Sequence, residues 1–160
     1  MATELNHNTI KTKIATILRA NASLYNVNDE TKLLSIEVGR PNPQNIPIQL
    51  PGAFITNAQN LESIRAGDAQ TNAFKVLHHT FRYLVVIGVD GTDSPNAETS
   101  LDSFQKTLLE TLEADADLTG GTTAEVDLIV PESVLASVAE REGSLIQLRQ
   151  ITLRLEKLTA

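Results

Sequence analysis

Two adjacent histidines, His78 and His79, are the residues of this sequence best suited to binding a metal or moving a proton, and they lie at the start of a stretch with strand periodicity. Neighbouring strand residues point to opposite faces, so the pair cannot close on one ion; a strand-edge pair with ordinary hydrogen bonds accounts for them. A second constellation, Asp115-Ala116-Asp117-Leu118-Thr119-Gly120, starts like a calcium loop, with oxygen ligands at the first, third and fifth positions and glycine at the sixth. The bidentate glutamate such a loop needs at its end is replaced by Val126, and a helix exit followed by Gly120-Gly121 explains the same residues. Asn21-Ala22-Ser23 has the form of a glycosylation sequon, expected to be idle because the opening residues do not read as a secretion leader. No Gly-x-Ser-x-Gly elbow, glycine-rich phosphate loop or cysteine is present. The sequence therefore predicts no catalytic residue, no metal site and no cofactor.

Charge narrows the partners. The 160 residues carry a formal charge of −7, and the imbalance is local: from Asp90 to Glu142 thirteen acidic residues face only Lys106 and Arg141, while the remainder is mildly basic. Affinity for DNA comes largely from lysine and arginine displacing counterions on phosphates, so a chain of this kind is expected to repel nucleic acid. One negative and one mildly positive face can also draw copies together head to tail. No uncharged apolar run approaches the roughly 18 residues that suggest a membrane span, and the opening residues, Met1 to His7, do not resemble a secretion leader.

The elements that would position these residues are readable from periodicity. Ile10, Ile14, Ile17 and Leu18 form the apolar stripe of a first helix capped at Asn8 or Thr9 and ending near Asn21. Residues 31–38 alternate as a half-buried strand. Pro41, Pro43, Pro47 and Pro51 then exclude helix and central strand and predict an extended crossing. Ala53 to Thr56 reads as a short strand, and the polar residues from about 57 to 73 as a long loop. From Val76 to Asp90 the pattern is a strand with apolar residues on both faces, Phe81, Tyr83, Val85, Ile87 and Val89 against Leu84 and Val86, so both faces must be covered. Ser94-Pro95 opens a second helix whose stripe is Ala97, Leu101, Phe104, Leu108 and Leu112. Val126 to Val130 is a strand, and Pro131 to Gly143 reads as a helical turn or two around Val134, Leu135 and Val138. The last strand, Leu145 to Leu155, changes phase, which predicts a bulge near Arg149-Gln150. The expected fold is α+β: one domain over 1–160, a mostly antiparallel sheet with two main helices on one face, plus a long loop or β-hairpin arm.

The run Tyr83-Leu84-Val85-Val86-Ile87-Gly88-Val89, the helix from near Ala97 with Leu101-Asp102, then Leu112-Glu113-Ala114-Asp115 and Leu118-Thr119-Gly120-Gly121, resembles the tail terminator or minor tail protein family of long-tailed bacteriophages, the lambda-like tail completion proteins. Val126 to Val130 and Ile151 to Leu155 take the places of that family's last two strands. The amphipathic opening helix and Pro51-Gly52-Ala53-Phe54-Ile55 extend the resemblance over most of the chain. It implies a structural virion protein, assembled in the host cytoplasm, that caps the tail tube as a ring, usually of six copies, stops tube polymerisation and offers a docking surface to the neck. The implied partners are further copies of the chain, the tail tube protein and a neck connector or stopper, with the sheath added where the tail is contractile. Genomic DNA would pass through the lumen without specific binding. On this reading Glu110, Glu113, Asp115 and Asp117 face the lumen or the next subunit, Leu61, Ile64 and Arg65 order against the tube, and the Phe81 to Val89 and Leu101 to Leu112 stripes serve core or subunit packing. A head-completion or stopper ring and a tail-tube subunit are the near alternatives; a cytosolic adaptor or small enzyme is the distant one.

Overall fold

The computed structural model describes residues 6–41, 46–66, 77–115 and 126–159. The elements run α1 (His7–Arg19), β1 (Ser35–Val38), β2 (Gly52–Ala66), β3 (Leu77–Asp90), α2 (Ser94–Glu113), β4 (Leu128–Arg141) and β5 (Ser144–Thr159). They form one five-stranded sheet in the order β1-β2-β3-β5-β4. Only β1 and β2 are parallel; the other three pairings are antiparallel. Both helices pack on the same face, which makes this an α+β fold of the expected class.

The helix starts are set by side-chain caps. Asn6 accepts the Thr9 amide and begins α1, two or three residues before the expected caps Asn8 and Thr9, and Asp93 caps α2, one residue before the expected opening at Ser94, with Pro95 in its first turn. Each cap satisfies a backbone donor that the first turn leaves orphaned. The α1 stripe of Ile10, Ile14 and Leu18 and the α2 stripe of Ala97, Leu101, Phe104, Leu108 and Leu112 are buried against Phe81, Tyr83, Val85, Ile87 and Val89 of β3 and Ile151, Leu153 and Leu155 of β5. The α2 stripe is cross-tied to β5 by Arg149, which reaches Asp102 at 2.8 Å and donates to Gln105 at 2.7 Å. Arg19 at the end of α1 donates to the Ile36 carbonyl of β1.

Among the described residues the opposite face is covered at one end. There the proline-rich crossing folds back and packs Ile46 and Leu50 on Phe54, Val86, Ile146 and Leu148. This second, smaller core resolves the phase change in the last strand. Ile146 and Leu148 serve the crossing while Ile151, Leu153 and Leu155 serve the helices, so the buried side switches without any bulge near Arg149-Gln150; β5 pairs with β3 in unbroken register from Asp90↔Ile146 to Leu77↔Thr159. The irregularity lies in β4, between Pro131 and Ser133.

Two further expectations are corrected. The polar loop expected from 57 to 73 is strand through Ala66: after a register shift between Asn57 and Glu62, β2 pairs with β3 as far as Ala66↔Leu77. The remainder of that loop lies outside the described residues. The helical turns expected from Pro131 to Gly143 are β4 and its hairpin turn, where Glu142 and Gly143 both have positive φ, 54° and 80°. Val134, Leu135 and Val138 mimic a helical spacing but stand on an edge strand with exposed sides, where no core enforces alternation.

The crossing can seat only because β3 carries glycine beneath it. A Cβ at Gly88 would lie 2.9 Å from Pro47 Cδ and 3.0 Å from Leu148 Cδ2. Gly88→Val is therefore expected to overpack this second core and cost roughly 1–3 kcal/mol. The check is urea unfolding followed by circular dichroism, with the midpoint lowered and the slope unchanged.

Candidate functional site

A cluster of titratable side chains lies part-buried where the start of α1 meets β2 and β3. The Tyr83 hydroxyl lies 2.6 Å from His7 Nδ1, His7 Nε2 3.1 Å from Glu62 Oε2, and His79 Nδ1 2.9 Å from Glu62 Oε1. One proton arrangement satisfies all three contacts: the Tyr83 hydroxyl donates to His7 Nδ1, and His7 Nε2–H and His79 Nδ1–H both donate to the carboxylate. The rings of His7, Phe81 and Tyr83 meet edge-on or tilted at 5.4 to 5.7 Å, and Lys11 Nζ stands 5.8 Å from the Tyr83 ring centre.

Burial pushes the Glu62 carboxyl upward, but the hydrogen bonds from His79 and His7, with the proximity of both rings, outweigh it and hold the group below its ordinary value. Burial, reinforced by the Glu62 charge, pushes the Tyr83 phenol up, so it stays protonated and a donor. Burial also lowers Lys11. A Tyr–His–Glu chain is a relay in form, but Tyr83 is fully buried, and the cavities of about 460 and 310 Å³ are lined by other residues. What the arrangement does is pin the helix to two strands through charge-assisted hydrogen bonds.

Of the two histidines singled out in the sequence, His79 belongs to this network and His78 does not. They point to opposite faces as strand geometry requires; His78 meets Arg65 at 2.9 Å and Glu156 at 3.7 Å on the side away from the helices. His7 and Glu62, the network's centre, were missed because they lie 55 residues apart and only the fold joins them. Among the described residues no group of three or more His, Asp or Glu is arranged to hold a metal. The calcium-like stretch is described only as far as Asp115, whose amide bonds the Leu112 carbonyl; Asp117 lies outside the described residues, and Val126 is buried in the core. The sequon asparagine Asn21 donates to Thr111 Oγ1 at 2.8 Å and accepts the Ser23 amide, bridging α1 to α2.

The surface candidates separate by exposure. Glu110 and Glu113 are exposed on α2, along with Glu98, Asp102 and Lys106. Leu61, Ile64 and Arg65 are on strand β2, not on a loop: Leu61 packs partly against the core, whereas Ile64 and Arg65 stand exposed near the tip of the β2–β3 pair. Phe81, Tyr83, Val85, Ile87, Val89, Leu101, Phe104, Leu108 and Leu112 are all buried within the subunit. Two concavities flank α2. One, of about 460 Å³, lies at its start among Glu30, Asp90, Thr92, Asp93 and Asn96; Asp90 is held below its ordinary range by the Thr92 hydroxyl and amide. The other, of about 310 Å³, is an apolar slot between Leu109 and Leu112 of α2 and Ile129, Pro131 and Leu153, with Glu113 at its rim. Among the described residues no helix is long and apolar enough to cross a membrane.

The fold and these surfaces define an α+β protein built on one mostly antiparallel sheet. No protein-family model matches the chain, and no curated protein matches it.

The sign of the Glu62 effect fixes a pH dependence. A carboxylate held below the value of 4.5 it has when unfolded contributes stability above that pH and loses it as pH falls through its folded value. Glu62→Gln is expected to cost roughly 1–3 kcal/mol at pH 7, because two charge-assisted bonds are weakened, and to flatten the loss of stability that the unaltered protein shows below about pH 4.5. Urea melts at pH 7 and pH 3.5 check both parts; parallel pH curves for the two proteins would refute the assignment.

Proposed function

We propose that this chain is a structural subunit of a long-tailed bacteriophage tail, a terminator that caps the tail tube as a ring and presents a docking surface to the neck. The observation that carries the reading is the excess of strand over helix. Strands of 14 to 16 residues span about 46–53 Å, while α2, with 20 residues, spans about 30 Å. The strand pairs thus extend beyond the helices that cover them and end in exposed side chains such as Ile64, Arg65 and Leu158, suited to contact with neighbours. The element order supports the resemblance: a two-sided strand, a helix carrying outward carboxylates, and two final strands follow in the same sequence.

In this reading Glu110, Glu113 and Asp115 give a ring wall negative charge that keeps DNA sliding instead of binding. The exposed tip of β2 and β3, with Ile64 and Arg65, meets the tube; Leu61 contributes by stiffening the strand beneath it. Partners are further copies of the chain, the tube protein and the neck.

Native mass spectrometry with negative-stain imaging, alone and with purified tubes, tests the proposal. A closed ring of six 17.4 kDa copies, about 104 kDa, that stops at the tube end supports it. Open-ended polymerisation would favour a tube subunit, and failure to engage tubes would overturn it. Glu110→Lys with Glu113→Lys should leave folding within about 0.5 kcal/mol, since both sides are exposed, while impairing ring closure or DNA passage. Rings that form and pass DNA normally would remove the lumen role from this helix.

A further inference from the structure

The sheet has two edges of unequal character. At one edge β1 pairs with the first four residues of β2, Gly52 to Ile55, and the polar remainder of β2 runs on beyond it; at the other β4 leaves a 14-residue strand, and among the described residues no strand pairs with its outer side. An edge of that length displays a row of unpaired amides and carbonyls, and proteins ordinarily blunt it with charge, proline or a bulge. Here those devices sit at the ends. Pro131, Glu132 and the bulge occupy one end, and Glu140, Arg141 and Glu142 the other. Between them Ser133-Val134-Leu135-Ala136-Ser137-Val138-Ala139 has no charge, proline or glycine. It is also apolar on both faces: Val134 and Val138, opposite Ile151 and Gln147, are 37% and 61% exposed on the helix side, and Leu135, opposite Gln150, is 61% exposed on the other. Such a segment has the chemistry of a strand that pairs with another strand.

We propose that β4 pairs antiparallel with β4 of a second copy of this chain, about a two-fold axis through Ala136, joining two five-stranded sheets into one of ten. The segment is complementary to itself in that register. Ala136 meets its own counterpart, Leu135 meets Ser137, and Val134 meets Val138, so the exposed valines cover one another on the helix side and Leu135 is covered on the other.

The charges at the two ends agree with this occupant. The bulge turns Glu132 to the face where it binds Arg82 at 2.8 Å, and Arg141 lies on that same face, donating to the Pro47 carbonyl at 2.9 Å. With the bulge counted, Glu140 of one copy falls opposite Pro131 of the other, and Arg141 falls opposite Val130, diagonal to Glu132. Opposite charges therefore neighbour each other twice across the axis and no like charges are opposed. A two-fold contact closes at two copies and builds no ring, so this inference stands or falls separately from the terminator reading.

The chain has no cysteine, which makes the register directly testable. Single-cysteine variants Ala136→Cys, Val134→Cys and Val138→Cys are oxidised mildly and run on non-reducing gels. Expected are a self-crosslinked dimer for Ala136→Cys, none for Val138→Cys alone, and a crosslink when Val134→Cys and Val138→Cys are mixed, because a disulfide requires Cα atoms within about 7 Å. Sedimentation of the cysteine-free protein without tubes should show copies joined in pairs, a dimer or, where six copies close, a doubled ring, and Val138→Lys should weaken the pairing at least tenfold with an unchanged circular dichroism spectrum. A monomeric protein, or Val138→Cys crosslinking to itself as readily as Ala136→Cys, would overturn the proposal; the first result would assign the edge to a strand of another protein.

Discussion

Everything in this protein is organised by the need to cover β3 on both faces. Val85 and Ile87 point to the helices while Val86 points the other way, and none of the three can remain in water without forfeiting about 1.5 kcal/mol or more of transfer free energy. The helices solve half the problem. The other half is solved by a backbone that proline has already stiffened, which reaches across the far face and presses Ile46 and Pro47 onto the strand at the one position, Gly88, where there is no side chain to hold it off. Arg141 then ties the crossing to the β4–β5 hairpin through the Pro47 carbonyl. The two cores are thus mechanically joined through the sheet, and the hairpin's base is held by the same contacts.

The His7–Glu62–His79 network has a comparable role at the other end of β3. Tyr83 and His79 are buried, and a buried donor or acceptor without a partner costs about 1–3 kcal/mol, while His7 and Glu62 are half-buried beside them. Within the network each makes a bond: the phenol to one imidazole, both imidazoles to one carboxylate. The requirement for complete pairing specifies where α1 begins relative to the β2–β3 pair. The register shift between Asn57 and Glu62 precedes the carboxylate, after which Glu62 is opposite Phe81 and on the same face as His79. A chemically suggestive trio is explained as a joint, and the surfaces carry the functional argument.

Those surfaces differ in kind. The outer side of α2 is charged, the tip of the β2–β3 pair mixes Ile64 with Arg65, and the β4 edge is uncharged over seven residues. The proposed ring subunit would need contacts to its neighbours, to the tube and to the neck, and these chemically distinct faces are the surfaces available for them. The long strands give these faces reach while the two cores hold the sheet's two faces together.

Periodicity alone was enough for the elements that bury one side: the α1 and α2 stripes, the two-sided β3 and the α+β class all follow from the spacing of apolar residues, because water exclusion imposes that spacing wherever a core exists. It was also enough to separate His78 from His79, since adjacent strand residues must diverge. Where burial gives no guide the sequence was silent or misleading. The outer part of β2 is polar and read as loop, and β4 is exposed on both faces and read as helix; both are strands because β3 and β5 supply backbone partners, a property of neighbours and not of the segment itself. The phase change in β5 is real in the sequence, but whether it means a bulge or a change of the covering layer depended on where the proline-rich crossing landed. Likewise Glu62 is one carboxylate among many until folding brings His7, 55 residues away, and His79 to its two oxygens. Local periodicity determined the pieces with a core side; only tertiary structure, through long-range hydrogen bonding and packing, decided which polar segments became strands and which titratable groups met.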